Sequence, residues 1–146
     1  MQKTSVLFLM VMISSIFSCS KEKLTYSTYP SPTWVITSIE DLPHSFTAIL
    51  SLPKDIANYA SEEDKIAAFI GDECRGVGNL VVSSDGESWV YYVTVRGADD
   101  ENKEILFRYY NSKLSYLYES HNEVVFQIDG YYGTYDSPQE LLLSQI

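Results

Sequence analysis

The sequence is poor in the residues that most enzyme chemistry uses. It has two cysteines and two histidines in 146 residues, and 10 Lys and Arg stand against 20 Asp and Glu. His44 and His121 have no metal-ligand spacing to each other or to Cys74, so no metal site is expected. There is no Gly-rich phosphate cradle, no Gly-x-Ser-x-Gly elbow and no His-Glu-x-x-His, and with them go the commonest nucleotide, serine-hydrolase and zinc-protease signatures. No catalytic residue and no cofactor are expected. The deficit of cationic side chains, with a net charge of −10, disfavours nucleic acid and anionic lipid headgroups as partners.

A long apolar stretch occurs only at the start. Met1-Gln2-Lys3 leads into Val6–Ile13 and then Ile16-Phe17-Ser18-Cys19. A basic start, a short apolar core and a small residue before a cut describe a secretory signal, too short to span a bilayer as a flanked helix. Ile16-Phe17-Ser18-Cys19 resembles the bacterial lipoprotein box, and that resemblance implies removal of residues 1–18 and acylation of Cys19. At about 0.8 kcal/mol for each buried methylene, two or three chains hold a protein on a membrane where one does not. The expected location is therefore the outer membrane or cell surface.

Removal of 18 from 146 residues leaves 128, enough for one domain with a core. Lys3 leaves with the signal, so 9 Lys and Arg then face 20 Asp and Glu, a charge near −11. With Cys19 acylated, Cys74 has no partner for a disulfide and reads as a buried, inert thiol. Residues 19–32 are polar and Pro-punctuated and read as a tether; the domain is expected over 33–146.

Within the domain the dominant period is two. Phe46, Ala48, Leu50 and Leu52 share one face of a strand that Pro53 ends. Further strands are expected at 65–70, 74–82, 89–96, 104–110, 114–118 and 124–128, with an Asp85-Gly86 hairpin turn and an acidic loop at 99–102. That loop offers oxygen ligands without the spacing of a calcium loop, so it reads as solvated. Gly76 and Gly78 inside a strand suggest a bulge or a close neighbour. Residues 55–63 read as a loop with at most one helical turn. Eight or nine short strands at this spacing predict an all-β fold, an antiparallel two-sheet β-sandwich of immunoglobulin-like or jelly-roll-like type.

Two runs carry a further resemblance. Asp64-x-Ile66-Ala67-Ala68-Phe69-x-Gly71-Asp72-x-Cys74-Arg75-Gly76-Val77 and Glu104-Ile105-Leu106-Phe107-Arg108-Tyr109-Tyr110-Asn111 are similar to the core motifs of a β-sandwich module recurrent in surface and secreted proteins of the Bacteroidota. The resemblance spans roughly residues 34 to 143. It implies a non-catalytic domain on an exported protein and lends no catalytic residues.

The candidate binding residues come from the twelve tyrosines. If strands 89–96 and 105–110 form a hairpin, parity puts Tyr92, Arg96, Arg108 and Tyr110 on the face opposite Tyr91, Val93, Ile105 and Phe107. Rings beside guanidinium groups suit a sugar face or a protein partner. Tyr131, Tyr132 and Tyr135, in a Gly-containing loop, form a second candidate patch. The function expected is a lipid-anchored, non-catalytic binding or assembly module for a glycan or a surface protein. The alternatives are a hydrolase of exported polymers and a structural subunit of a surface appendage.

Overall fold

The computed structural model describes residues 25–82 and 89–146. The expected secretory signal, the expected acylation site at Cys19 and the expected Asp85-Gly86 turn lie outside the described residues. The fold is all-β, as the alternation predicted. Its strands are β1 (His44–Ser51), β2 (Lys65–Ile70), β3 (Glu73–Val82), β4 (Trp89–Gly97), β5 (Leu106–Asn111), β6 (Tyr116–Ser120), β7 (Gly130–Tyr132), β8 (Gln139–Glu140) and β9 (Leu143–Gln145). One four-residue helix, α1 (Lys54–Ala57), follows Pro53.

The ladders join all nine strands into a single sheet in the order β7-β1-β4-β3-β2-β5-β6-β9, with β8 also on β1, curled into a half-barrel. In place of the expected antiparallel sandwich of two sheets there is this one sheet, bent into two arms. They meet along β3, whose first half pairs with β2 and whose second half pairs with β4. The sheet is mixed, because β7 and β8 lie parallel to β1.

Both arms turn apolar side chains onto one core. Phe46, Ala48, Leu50, Tyr91, Val93 and Val95 come from one arm; Ile66, Ala68, Ile70, Phe107 and Tyr109 come from the other. The crease requires glycine. A Cβ on Gly78 would stand 2.1 Å from Cγ2 of Ile66 and 3.0 Å from Cγ2 of Val93, distances at which carbon atoms repel strongly. The register also slips here. Ala68 faces Gly76 and Phe69 faces Cys74, which leaves Arg75 without an opposite residue. This bulge re-aims the Arg75 side chain.

The re-aimed guanidinium meets Asp100. Arg75 Nη1 donates to Asp100 Oδ2 at 2.6 Å, and Lys103 Nζ and the Ala98 amide complete the carboxylate's shell at 2.7 and 2.9 Å. The acidic loop is thus not simply solvated: Asp100 is 2% exposed and anchors the loop to β3. A second buried carboxylate, Asp64, accepts from the Ser61 amide, the Ser112 amide and hydroxyl, and the Tyr109 hydroxyl. It ties the approach to β2 to the turn after β5.

Three elements depart from the sequence reading. Residues 124–128 contribute one isolated bridge, Glu104 to Val125, in place of a strand. The loop expected at 129–138 contains β7. The expected tether also touches the domain without forming regular structure. Tyr29 donates its amide to the Ser115 carbonyl at 2.8 Å. Its carbonyl accepts from the Tyr110 hydroxyl at 3.1 Å, and the Pro32 carbonyl accepts from Lys65 Nζ at 2.7 Å.

Candidate functional site: an outer tyrosine face and an aromatic cleft

The expected hairpin of β4 and β5 does not form. β4 pairs with β1 and β3, and β5 with β2 and β6. The four residues assigned to one face are therefore divided between the arms. Tyr92 and Arg96 stand on the convex side of the first arm. Arg108 and Tyr110 stand on the convex side of the second, where both are already engaged. The Arg108 guanidinium lies 4.7 Å from the Phe69 ring centroid and bonds Glu119 at 3.1 Å. Tyr110 is 4% exposed, with its hydroxyl held by Tyr29, and presents no free ring. Trp34 packs edge-on against Phe69 at 5.9 Å, so residues from the expected tether and the domain's first turn line this surface.

Tyr92 of the first tyrosine set and Tyr131 and Tyr135 of the second, placed apart by sequence, come together on the first arm. Strand β1 is the reason: its residues Ser45, Thr47 and Ile49 face Arg96, Thr94 and Tyr92 on one side, and Thr47 faces Tyr131 of β7 on the other. Gly133, at φ +80, brings the following loop back against the Ile49 carbonyl. There Tyr135 stacks on Tyr92, with centroids 6.4 Å apart and planes within 5°. Tyr131 is 75% and Tyr135 58% exposed. The Tyr92 hydroxyl is pulled below its usual pKa by bonds to Thr94 and Thr47, aided by the nearby Arg96 charge. Tyr132 does not join this face. It packs against the core, and its hydroxyl accepts from Asn122 Nδ2 at 3.2 Å. The result is a flat, hydroxyl-bearing aromatic face with one guanidinium on its strand.

A cleft of about 490 Å³ opens on the concave side of the second arm. Its floor is the inner face of β6 and β9, where Tyr118 faces Gln145 across the ladder. Ile56 and Asp55 of α1 and Tyr59 after it form one wall. Tyr26 forms part of another, its ring 5.8 Å from that of Tyr116. The Gln145 amide nitrogen is buried without a hydrogen-bond partner among the described residues. Burial raises the Tyr118 hydroxyl pKa, and the neighbouring Tyr116, Asp55 and Tyr26 raise it further. Sequence reasoning missed this cleft because four separate segments build it. Tyr116 and Tyr118 were legible as sharing one face of the strand expected at 114–118, but Tyr26 lay in the expected tether and Tyr59 in a loop.

Among the described residues, the groups that could carry nucleophilic chemistry are few, and one of them, Ser144, borders the cleft. His121 Nε2 lies 2.7 Å from Ser144 Oγ, yet no carboxylate bonds the other ring nitrogen among the described residues. Nothing therefore orients the imidazole as a triad acid does. Cys74 is half-buried; burial pushes its thiol pKa up, and its Sγ donates to the Gly76 carbonyl at 3.7 Å. Among the described residues no cluster of three His, Cys, Asp or Glu is placed to hold a metal. No family model, no curated protein and no solved structure matches the chain.

Proposed function

We propose that this protein is an exported, lipid-anchored, non-catalytic binding module of the outer membrane or cell surface, and that its ligand is a glycan. The observation that carries the reading is the outer face of the first arm, where Tyr92 and Tyr135 stack and Tyr131 stands open beside Thr47. Exposed rings on a rigid sheet offer amphipathic contact area at low entropic cost. Hydroxyls of Thr47 and Thr94 and the Arg96 guanidinium supply polar contacts around the rings. A surface protein is the other partner this face suits.

The test uses the full chain in detergent micelles and a Tyr92→Ala, Tyr135→Ala variant of unchanged circular dichroism. Both are screened on a glycan array and against cell-envelope extract. Glycan capture by the parent that the variant loses by tenfold or more supports the reading. Capture of a protein alone replaces the glycan with a protein partner, and capture of nothing overturns the reading. Acylation is tested separately, by the mass of the N-terminal peptide with and without Cys19→Ala.

Hydrolysis is a second reading, favoured by the contact of Ser144 Oγ with His121 Nε2. Covalent labelling by a fluorophosphonate, abolished in Ser144→Ala, would favour it over binding alone.

A further inference from the structure

The concave cleft against β6 and β9 is lined by four tyrosines, Tyr26, Tyr59, Tyr116 and Tyr118, and by one charged side chain, the solvent-facing Asp55. Two of the rings stand open, Tyr26 at 49% and Tyr59 at 53% exposure, and the Tyr26 ring lies 5.8 Å from that of Tyr116. The other polar groups of the lining, those that would read a ligand's hydroxyls, are already engaged. Asn111 donates to the Tyr59 carbonyl and the Tyr109 hydroxyl and accepts from the Leu114 amide. Ser144 Oγ is held by His121 Nε2, and the Gln145 amide nitrogen is buried out of a ligand's reach. What the cleft leaves free is ring faces, phenol hydroxyls and a carboxylate. Those attract positive charge without demanding a fixed pattern of hydrogen bonds.

The charge of the cleft has the matching sign. Among the described residues no Lys, Arg or His lines it, and the chain's net charge is −10. Burial raises the Tyr118 hydroxyl pKa, and Tyr116, Asp55 and Tyr26 each raise it further, so the Asp55 charge reaches the floor. We infer that this cleft is a second binding site, separate from the outer tyrosine face, and that it takes a small organic cation of the quaternary ammonium class. Methyl groups around a charged nitrogen spread the charge over several ring faces and leave no N–H to satisfy. A primary ammonium is worse served, because it is strongly hydrated and brings three donors to a site with one carboxylate. An anion meets Asp55 with no counter-charge. A neutral sugar gains nothing from that charge and finds the amides engaged. The volume of about 490 Å³ holds a cation of choline size with room for a longer substituent. The inference goes beyond the glycan reading and does not depend on it.

The experiment is an amide NMR titration of the full chain in polyoxyethylene detergent micelles at constant ionic strength. The probes are choline, tetramethylammonium, the neutral isostere of choline in which carbon replaces the charged nitrogen, and methyl glucoside. Choline should bind with a Kd of about 1–10 mM, as befits half-exposed rings, and should shift the amides of residues 55–59 and 116–118. The neutral isostere should bind about tenfold more weakly or worse. Asp55→Asn and Tyr59→Ala should each weaken choline by about threefold or more, while Tyr92→Ala, Tyr135→Ala leaves it unchanged. Both cleft changes are at exposed positions, and thermal unfolding checks that the fold is kept. Equal binding of choline and its isostere makes the cleft an apolar pocket and overturns the assignment. So does choline binding that survives both cleft substitutions or is lost in the outer-face variant. Methyl glucoside binding here more tightly than choline, or no shift with either cation at about 50 mM, overturns it as well. Each of these results leaves the glycan-array outcome for the outer face untouched, so the two readings fail separately.

Discussion

Arg75 has no partner across the β2–β3 ladder, and its guanidinium reaches Asp100, 2.6 Å away in the loop after β4. The bulge and the ion pair are one device: the extra residue turns the side chain toward a carboxylate that it would otherwise miss. Asp100 is held well below the usual carboxylate range, at about 2. Its burial alone would raise it; bonds from Lys103, the Ala98 amide and Arg75 and the Arg75 charge overcome that.

A depressed carboxyl favours the folded state above its ordinary pKa of 3.8, and the benefit disappears as pH falls through the folded value near 2. The shift corresponds to roughly 2 kcal/mol. Urea unfolding at pH 7, 4 and 2.5 should show this loss in the parent protein, and Asp100→Asn should flatten that part of the profile. Arg75→Met should cost about 2 to 3 kcal/mol at pH 7, since Lys103 still partners the buried carboxylate. An unaltered unfolding midpoint for Arg75→Met would refute the anchoring role.

Gly78→Ala is expected to cost about 3 kcal/mol or more, because the new methyl meets Cγ2 of Ile66. Ile66→Ala creates a cavity of its own. The double variant should nonetheless be less destabilised than the sum of the two single changes. A double-mutant cycle by chemical denaturation checks this; strict additivity would mean that the crease yields elsewhere.

Tyr109→Phe removes the donor that bonds Asp64 Oδ2 at 2.5 Å in the interior. A loss of about 1 to 3 kcal/mol is expected, typical of a hydrogen bond to a charged group. Asp64→Ala should cost more, because the Ser61 and Ser112 groups it accepts from lose their partner together. Guanidinium unfolding of the two variants would rank them, and an equal or reversed order contradicts the hub assignment.

A chain begun at Thr33 loses the Tyr29 and Pro32 carbonyls that receive the Tyr110 hydroxyl and Lys65. It should unfold at a Tm several degrees below that of a chain begun at Thr25, for a loss of roughly 1 to 2 kcal/mol. Identical Tm values would show that residues 25–32 add nothing to the fold. The shorter chain also lacks the Tyr26 wall of the cleft.

The strands with local alternation were legible: β1 was expected at 45–52 and runs His44–Ser51. Glycines 76 and 78 announced both the bulge and the close neighbour. Residues 124–128 misled because Val124 and Phe126 are buried as an inward strand face would be. Their backbone groups go instead to residues 102–105, as in Ile105 N to Val124 O and Phe126 N to Lys103 O. Pairing across the sheet was not legible. Assigning β5 as the neighbour of β4 separated Tyr92 from Tyr131 and joined it to Tyr110. The neighbours of β4 are β3 and β1, and the parallel partner of β1, β7, leaves no local mark in the sequence.

That parallel pairing also sets a timetable. Phe46 waits for Gly130 and Leu50 for Gln139, so β1 emerges early in synthesis but finds these partners only when a distant segment arrives. Hairpins β2–β3 and β5–β6 are local and form fast; closing the edge of β1 requires a long loop to be ordered first, which slows folding. Until residues 130–140 are in place, one edge of β1 offers unpaired amides and carbonyls, the template on which a strand of another chain can add.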